Sequence, residues 1–127
     1  MSDQAPQTAV CWNEIPVSDM NKAVEFYNTV FKWTLTIDDT GPNPMAWLGG
    51  DMNTAGGHLY PGKPAAGGNG PTVHIVVPDK VEEAAARCTA AGGTVLSEAI
   101  EIPPGRFIYA IDPDGNSLGL FEPAQAT

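Results

Sequence analysis

One order of patterns occurs twice in this chain, on either side of the stretch PGKPAAGGNGP from Pro61 to Pro71. That stretch carries nothing large and apolar. It cannot bury enough surface to offset the entropy of ordering itself, so it reads as a flexible surface connection. It leaves two pieces, about 8–60 and about 72–123, each small for an independent core. The two are expected to share one core, in a single domain spanning residues 1–127.

The first piece opens with the strand-like run from Val10 to Val17. Ser18 and Asp19 follow as helix-capping residues, and then a helical pattern of Ala23, Val24, Phe26, Tyr27, Val30 and Phe31. The second piece opens with Thr72 to Val77, then Asp79, then a helix through Ala84, Ala85, Ala86, Cys88 and Ala91, stopped by Gly92-Gly93. Three short strand candidates follow each helix. They are Thr34–Ile37, Met45–Gly49 and Ala55–Tyr60 in the first piece, and Thr94–Ala99, Arg106–Ile111 and Ser117–Phe121 in the second. Asp112-Pro113-Asp114-Gly115 fits a type I turn and makes the last two a hairpin. Each piece thus reads β-α-β-β-β, an α+β class. A ferredoxin-like β-α-β-β-α-β sandwich is the alternative, and it leaves two strand candidates unused.

Charge narrows the partners. Fifteen acidic against six basic residues give a formal net charge of −9, which repels nucleic-acid phosphates and anionic membrane surfaces. No apolar run approaches the roughly 18–20 residues of a membrane-spanning helix, and the opening MSDQAPQTAV is too polar for a signal peptide. Cys11 and Cys88 form no motif and are expected as inert buried thiols, which fits a cytoplasmic protein. The expectation is no nucleic acid and no membrane, leaving a neutral or cationic small molecule as the partner.

The tandem β-α-β-β-β pair, with the entry EIPVSD-x3-A-x2-FY and the exit DPDGN-x3-LFEP, resembles the vicinal oxygen chelate superfamily of glyoxalases, bleomycin-resistance proteins and extradiol dioxygenases. The resemblance covers nearly the whole chain and rests on Asp19, Ala23, Phe26, Tyr27 and the run Asp112 to Asn116. It implies two modules, joined by the linker 61–71, forming a curved mixed sheet around a cleft. It also implies a homodimer, because members of the family usually complete their clefts across a subunit pair. One scaffold hosts many chemistries, so the fold does not assign one.

In metal-dependent members each module supplies ligands from its first and last strands. Here the resemblance puts Trp12 in the first-strand position, and an indole has only a donor to offer. Gly119 falls in the last-strand position of the second module and Gly57 close to that of the first. Two registers are open for the fourth position. Matching Lys80 to Asp19 gives Val73 and turns His74 away; matching Asp79 to Asp19 brings His74 into the cavity. His58, beside Gly57, has the same ambiguity. The expectation is that both histidines face a helix or solvent, and that the protein uses no metal and no other cofactor.

If Trp12 faces the cleft, Glu14 and Pro16 face it too, while Ile15 and Val17 pack on the helix. Glu14 is then a lone carboxylate in an apolar hollow, where desolvation can make it a general acid or base. Trp47, Phe107, Tyr109 and Phe121 supply flat apolar walls, and indole faces attract cations. Arg106 either fixes an anionic ligand group or stands exposed at a strand end, and the second is expected. Trp33 is expected to pack against the first helix. Two functions lead the competition, with a non-catalytic interaction module as a third. One is a metal-free binder of a small organic molecule in an aromatic cleft, built from Trp12, Glu14, Trp47, Phe107, Tyr109 and Phe121. The other is an enzyme, either a lyase or isomerase with Glu14 as proton shuttle or a metal-dependent glyoxalase or dioxygenase.

Overall fold

The computed structural model describes residues 12–49 and 56–124. Strand β1, Trp12–Val17, buries Ile15 and Val17 and leaves Glu14 exposed, the alternation expected of a strand with one face on a core. Helix α1 follows at Met20–Phe31. Its N-terminus is capped by Asp19, whose side chain accepts the Lys22 backbone N–H at 3.1 Å. Ala23, Phe26, Tyr27, Val30 and Phe31 form its buried stripe. It ends at Lys32, a left-handed residue with φ 59°.

The strand expected over Thr34–Ile37 does not form. Asn28 on α1 clamps Leu35 instead: its Oδ1 accepts the Leu35 N–H at 2.7 Å and its Nδ2 donates to the Leu35 carbonyl at 3.2 Å. Those are the backbone groups that a ladder would have used. Only a single bridge, Asp38 to Met45, precedes the short β2, Ala46–Trp47. Strand β3, Gly56–Pro61, runs parallel to β1 and antiparallel to β2, giving the order β1-β3-β2.

In the second half, β4 (Thr72–Val76) leads to α2 (Val81–Ala90). The N-cap is Lys80 rather than Asp79, and the capping is borrowed: Glu122 accepts the Val81 N–H at 3.0 Å. Asp79 is drawn instead into a two-pronged pair with Arg87, at 2.8 and 2.9 Å. The expected strand over Thr94–Ala99 shortens to β5, Thr94–Val95, and a further strand β6 forms at Ile100–Ile102. Strands β7 (Gly105–Ile111) and β8 (Ser117–Pro123) form the expected hairpin. At its turn the Gly115 N–H returns to the Asp112 carbonyl at 2.9 Å. The sheet runs β4-β8-β7-β5, with β6 on β7. Two helices and two mixed sheets make an α+β fold.

Both halves feed one core. Phe26, Tyr27 and Val30 from α1 cluster with Val81, Ala84 and Cys88 from α2 and with Leu118 and Leu120 from β8. Polar ties cross the same seam. The Tyr27 hydroxyl donates to buried Asp112 at 2.8 Å, and the Asn116 amide donates to the Pro16 carbonyl at 2.8 Å. Arg87 Nε donates to the Val30 carbonyl at 3.0 Å. Burial, then the Asp112 carboxylate, pushes the Tyr27 hydroxyl well above its ordinary pKa.

Candidate functional site

The packing that buries Ile15, Val17, Leu59, Leu118 and Leu120 against the helices turns their strand neighbours to the opposite faces of the sheets. In the first sheet this face carries Trp12, Glu14, His58, Tyr60 and Trp47. The Trp12 indole donates to His58 Nδ1 at 2.9 Å. Ring centroids of Trp12 and Trp47 lie 6.1 Å apart at 63°, and His58 lies 5.7 Å from Trp47 and 5.9 Å from Tyr60. Trp47 is 46% exposed and also donates to Asp38 at 3.2 Å, a bond that, behind those from Thr40, helps hold the Asp38 carboxyl below its ordinary pKa.

In the second sheet the equivalent face carries His74, Val76, Phe107, Tyr109 and Phe121. His74 meets Phe107 edge-on at 5.0 Å, and Phe107 meets Tyr109 at 5.0 Å. Phe121 is the ladder partner of both Val76 and Phe107. Tyr109 is 38% exposed and Val76 57%. Of the residues singled out from sequence, Trp12, Glu14 and Trp47 thus share one face and Phe107, Tyr109 and Phe121 the other. Among the described residues no ring contact joins the two groups.

Several sequence expectations are corrected here. His58 is not turned to a helix or to solvent: it pairs with Glu14 in the parallel ladder and lies buried among the rings. The face position next to Trp12 is therefore His58, not Gly57, whose added Cβ would meet the Asn13 carbonyl oxygen at 2.4 Å. His74 pairs with Gly119, and its imidazole lies where a Gly119 side chain would go, with Nδ1 2.0 Å from the position of an added Cβ. Counting back from the helix cap misplaced it because buried Val77 lies three residues before its cap, Lys80, where buried Val17 lies two before Asp19, and one extra residue inverts the alternation. Arg106 is not a free strand-end charge; it donates to both Glu82 and Glu122. Glu14 is exposed rather than enclosed, so its surroundings do not desolvate it as an internal proton shuttle requires.

His58, His74 and Tyr60 are functional candidates that the sequence left out. For His58 and Tyr60 a signal existed: Leu59 is the aliphatic member of the run, and sending it to the core sends its neighbours to the other face. Trp33 stacks on Phe31 at 4.9 Å, as expected. Cys88 is fully buried, with its thiol pushed up to about 11 by that burial, so it is an unreactive core residue. Cys11 lies outside the described residues.

A divalent metal ion would need several free lone pairs on these faces. His58 spends its Nδ1 lone pair on the Trp12 indole, which places the ring proton of the neutral imidazole on Nε2 and leaves that nitrogen a donor. His74 sits on a glycine, and no His, Cys, Asp or Glu stands among the rings it meets, Phe107 and Tyr109. Among the described residues no three His, Cys, Asp or Glu side chains converge. These residues do not fit a chelated ion.

A hollow of about 250 Å³ opens at the seam between the halves. Trp12, Glu14 and Pro16 form one side, Asn116 and Ser117 another, and the connection from Ala65 to Pro71 contributes Asn69. The arrangement offers flat apolar rings on two sheet faces and a small cavity with polar groups on its wall beside one of them.

Known proteins share this fold. The family model of the Glyoxalase/Bleomycin resistance protein/Dioxygenase superfamily matches residues 7–120. A protein of Mycobacterium bovis, named "Putative glyoxylase CFP32", is 33% identical over 116 residues, covering 89% of this chain. A Mycobacterium tuberculosis protein of the same name matches equally. The chain spans 43% of the length of these relatives. Among solved structures, a glyoxalase/bleomycin resistance protein from Albidiferax ferrireducens T118 superposes with a TM-score of 0.69 at 18% identity, over 89% of this chain and 97% of the other. TnmS3, an antibiotic binding protein from Streptomyces sp. CB03234, superposes with a TM-score of 0.59 at 25% identity, over 95% of this chain and all of the other. The repeated architecture and the match over residues 7–120 together establish that this chain belongs to the Glyoxalase/Bleomycin resistance protein/Dioxygenase superfamily.

Proposed function

We propose that this chain binds a small, flat organic molecule against the aromatic faces of its sheets, without a metal ion. The observation that carries this reading is the occupation of those faces. Where a chelating enzyme needs lone pairs, this chain has an indole whose N–H occupies the Nδ1 lone pair of His58, and a glycine at position 119. Around them stand rings left open to a guest, Trp47 and Tyr109 above all. TnmS3, named an antibiotic binding protein, is a structural relative in keeping with such a role. The reading with Glu14 as acid or base gains no support from its exposed position.

Exposed Val76, Ile100 and Ile102 make an apolar surface on the second sheet of the kind that marks an interaction site. We assign it to a second copy of the chain, making a homodimer whose partner closes the cleft, within one domain per chain. A buried free thiol suits the cytoplasm. The test is a screen of aromatic compounds by tryptophan fluorescence on chelator-dialysed protein. Saturable binding is expected, weakened about tenfold or more in Trp47→Ala, because aromatic anchors carry most of the affinity at such sites. Binding seen only after a divalent metal is added back contradicts the proposal.

A further inference from the structure

The hollow at the seam has a chemical bias of its own. Among the described residues no lysine or arginine lines it, and Glu14 has no cationic partner. The other polar groups on its wall are neutral: the amides of Asn13, Asn69 and Asn116 and the Ser117 hydroxyl. Asn116 spends its Nδ2 on the Pro16 carbonyl and on Asp112, so its Oδ1 is the atom still unused. The Asn69 side chain has no hydrogen-bond partner among the described residues, and the Ser117 hydroxyl adds a further oxygen, paired with that of Thr72. A carboxylate with only neutral polar groups around it repels an anion. It satisfies a group that carries only donors, and an alkylammonium is such a group, with three. The Trp12 indole on the same wall supplies an apolar surface for the carbon part of the guest and favours a cation beside it. The net charge of −9 raises the local concentration of cations further.

We infer that this seam cavity binds the protonated amine of a small organic ligand, with Glu14 as its counter-ion and Trp12 as its apolar wall. The inference rests on the reading of the chain as a small-molecule binder and names the charge class of the guest. Glu14 then acts as an ionic anchor, and its exposed position leaves it within reach of a guest.

The test follows the indole N–H resonances of the 15N-labelled protein, assigned by Trp12→Phe and Trp47→Phe. The protein is titrated at neutral pH with benzylamine, benzyl alcohol and benzoate. Benzylamine is expected to shift the Trp12 resonance saturably and to bind about fivefold more tightly than benzyl alcohol, the worth of a partly solvated ion pair. Benzoate is expected to bind more weakly than either. In Glu14→Gln, with an unchanged melting temperature, the preference for the amine is expected to vanish. Equal binding of amine and alcohol, a preference that survives Glu14→Gln, or shifts confined to Trp47 would overturn the inference and leave the aromatic site standing. A protein that responds to none of the three at any tryptophan would overturn both.

Discussion

Gly119 has a neighbour where other residues have a side chain. The His74 ring lies over it, and an added Cβ would meet His74 Nδ1 at 2.0 Å. Because the obstacle is an exposed side chain and not backbone, Gly119→Ala is expected to displace the ring while changing stability by less than about 1 kcal/mol. The His74 imidazole resonances should move and the melting curve should not; an unmoved ring contradicts the packing. Tyr27 differs in kind, since its hydroxyl supports a buried carboxylate. Tyr27→Phe is expected to cost about 1–3 kcal/mol by urea unfolding, because Asp112 loses a donor where water cannot replace it. At this scale the sequence was legible wherever apolar and polar residues alternate. Ile15 and Val17 announce the core face of β1, and so place Trp12, Glu14 and Pro16 on the other. In β4 the run from Val73 to Val77 is apolar apart from His74, so alternation gives no sign, and only the ladder with β8 settles the face.

The last turn of α1 carries a cost. Lys32 holds a left-handed conformation that glycine adopts without strain, and its N–H returns to the Asn28 carbonyl as a helix cap. Lys32→Gly is expected to raise stability by about 0.5–1 kcal/mol in chemical denaturation, the relief of strain less the added freedom of the unfolded chain. A loss of stability would show that the Lys32 contact with Asp79, at 3.5 Å, outweighs the strain. Helices and the β7–β8 hairpin were readable as elements because their signals are local: a capping aspartate, a 3.6-residue stripe, an Asp-Pro-Asp-Gly turn. The missing strand at Thr34–Ile37 was not, since what displaces it is one asparagine side chain seven residues earlier. The cap of α2 was equally hidden, because it comes from Glu122 at the far end of the chain.

Across the whole molecule, carboxylates fasten the second helix to its surroundings. Hydrogen bonds from Arg87 hold Asp79 below the usual carboxylate range, and the Val81 N–H, with Arg106, does the same for Glu122. A carboxylate whose folded pKa is depressed contributes in full above its unfolded value and loses that contribution as pH falls through the folded one. The melting temperature is therefore expected to hold from neutral pH downward and to fall below about pH 4. Arg87→Met should start lower and show a shallower acid decline; an unchanged pH profile would deny Asp79 this part. The tandem pattern made the doubled architecture legible. The site was only half legible, because which ring lies beside which imidazole depends on ladder registers between strands far apart in sequence. The central claim is that these sheet faces receive an organic guest and not a chelated ion. Elemental analysis of protein purified without chelator tests it most directly: the account predicts well under one divalent metal per chain, and a full equivalent that disappears in His58→Ala would contradict it.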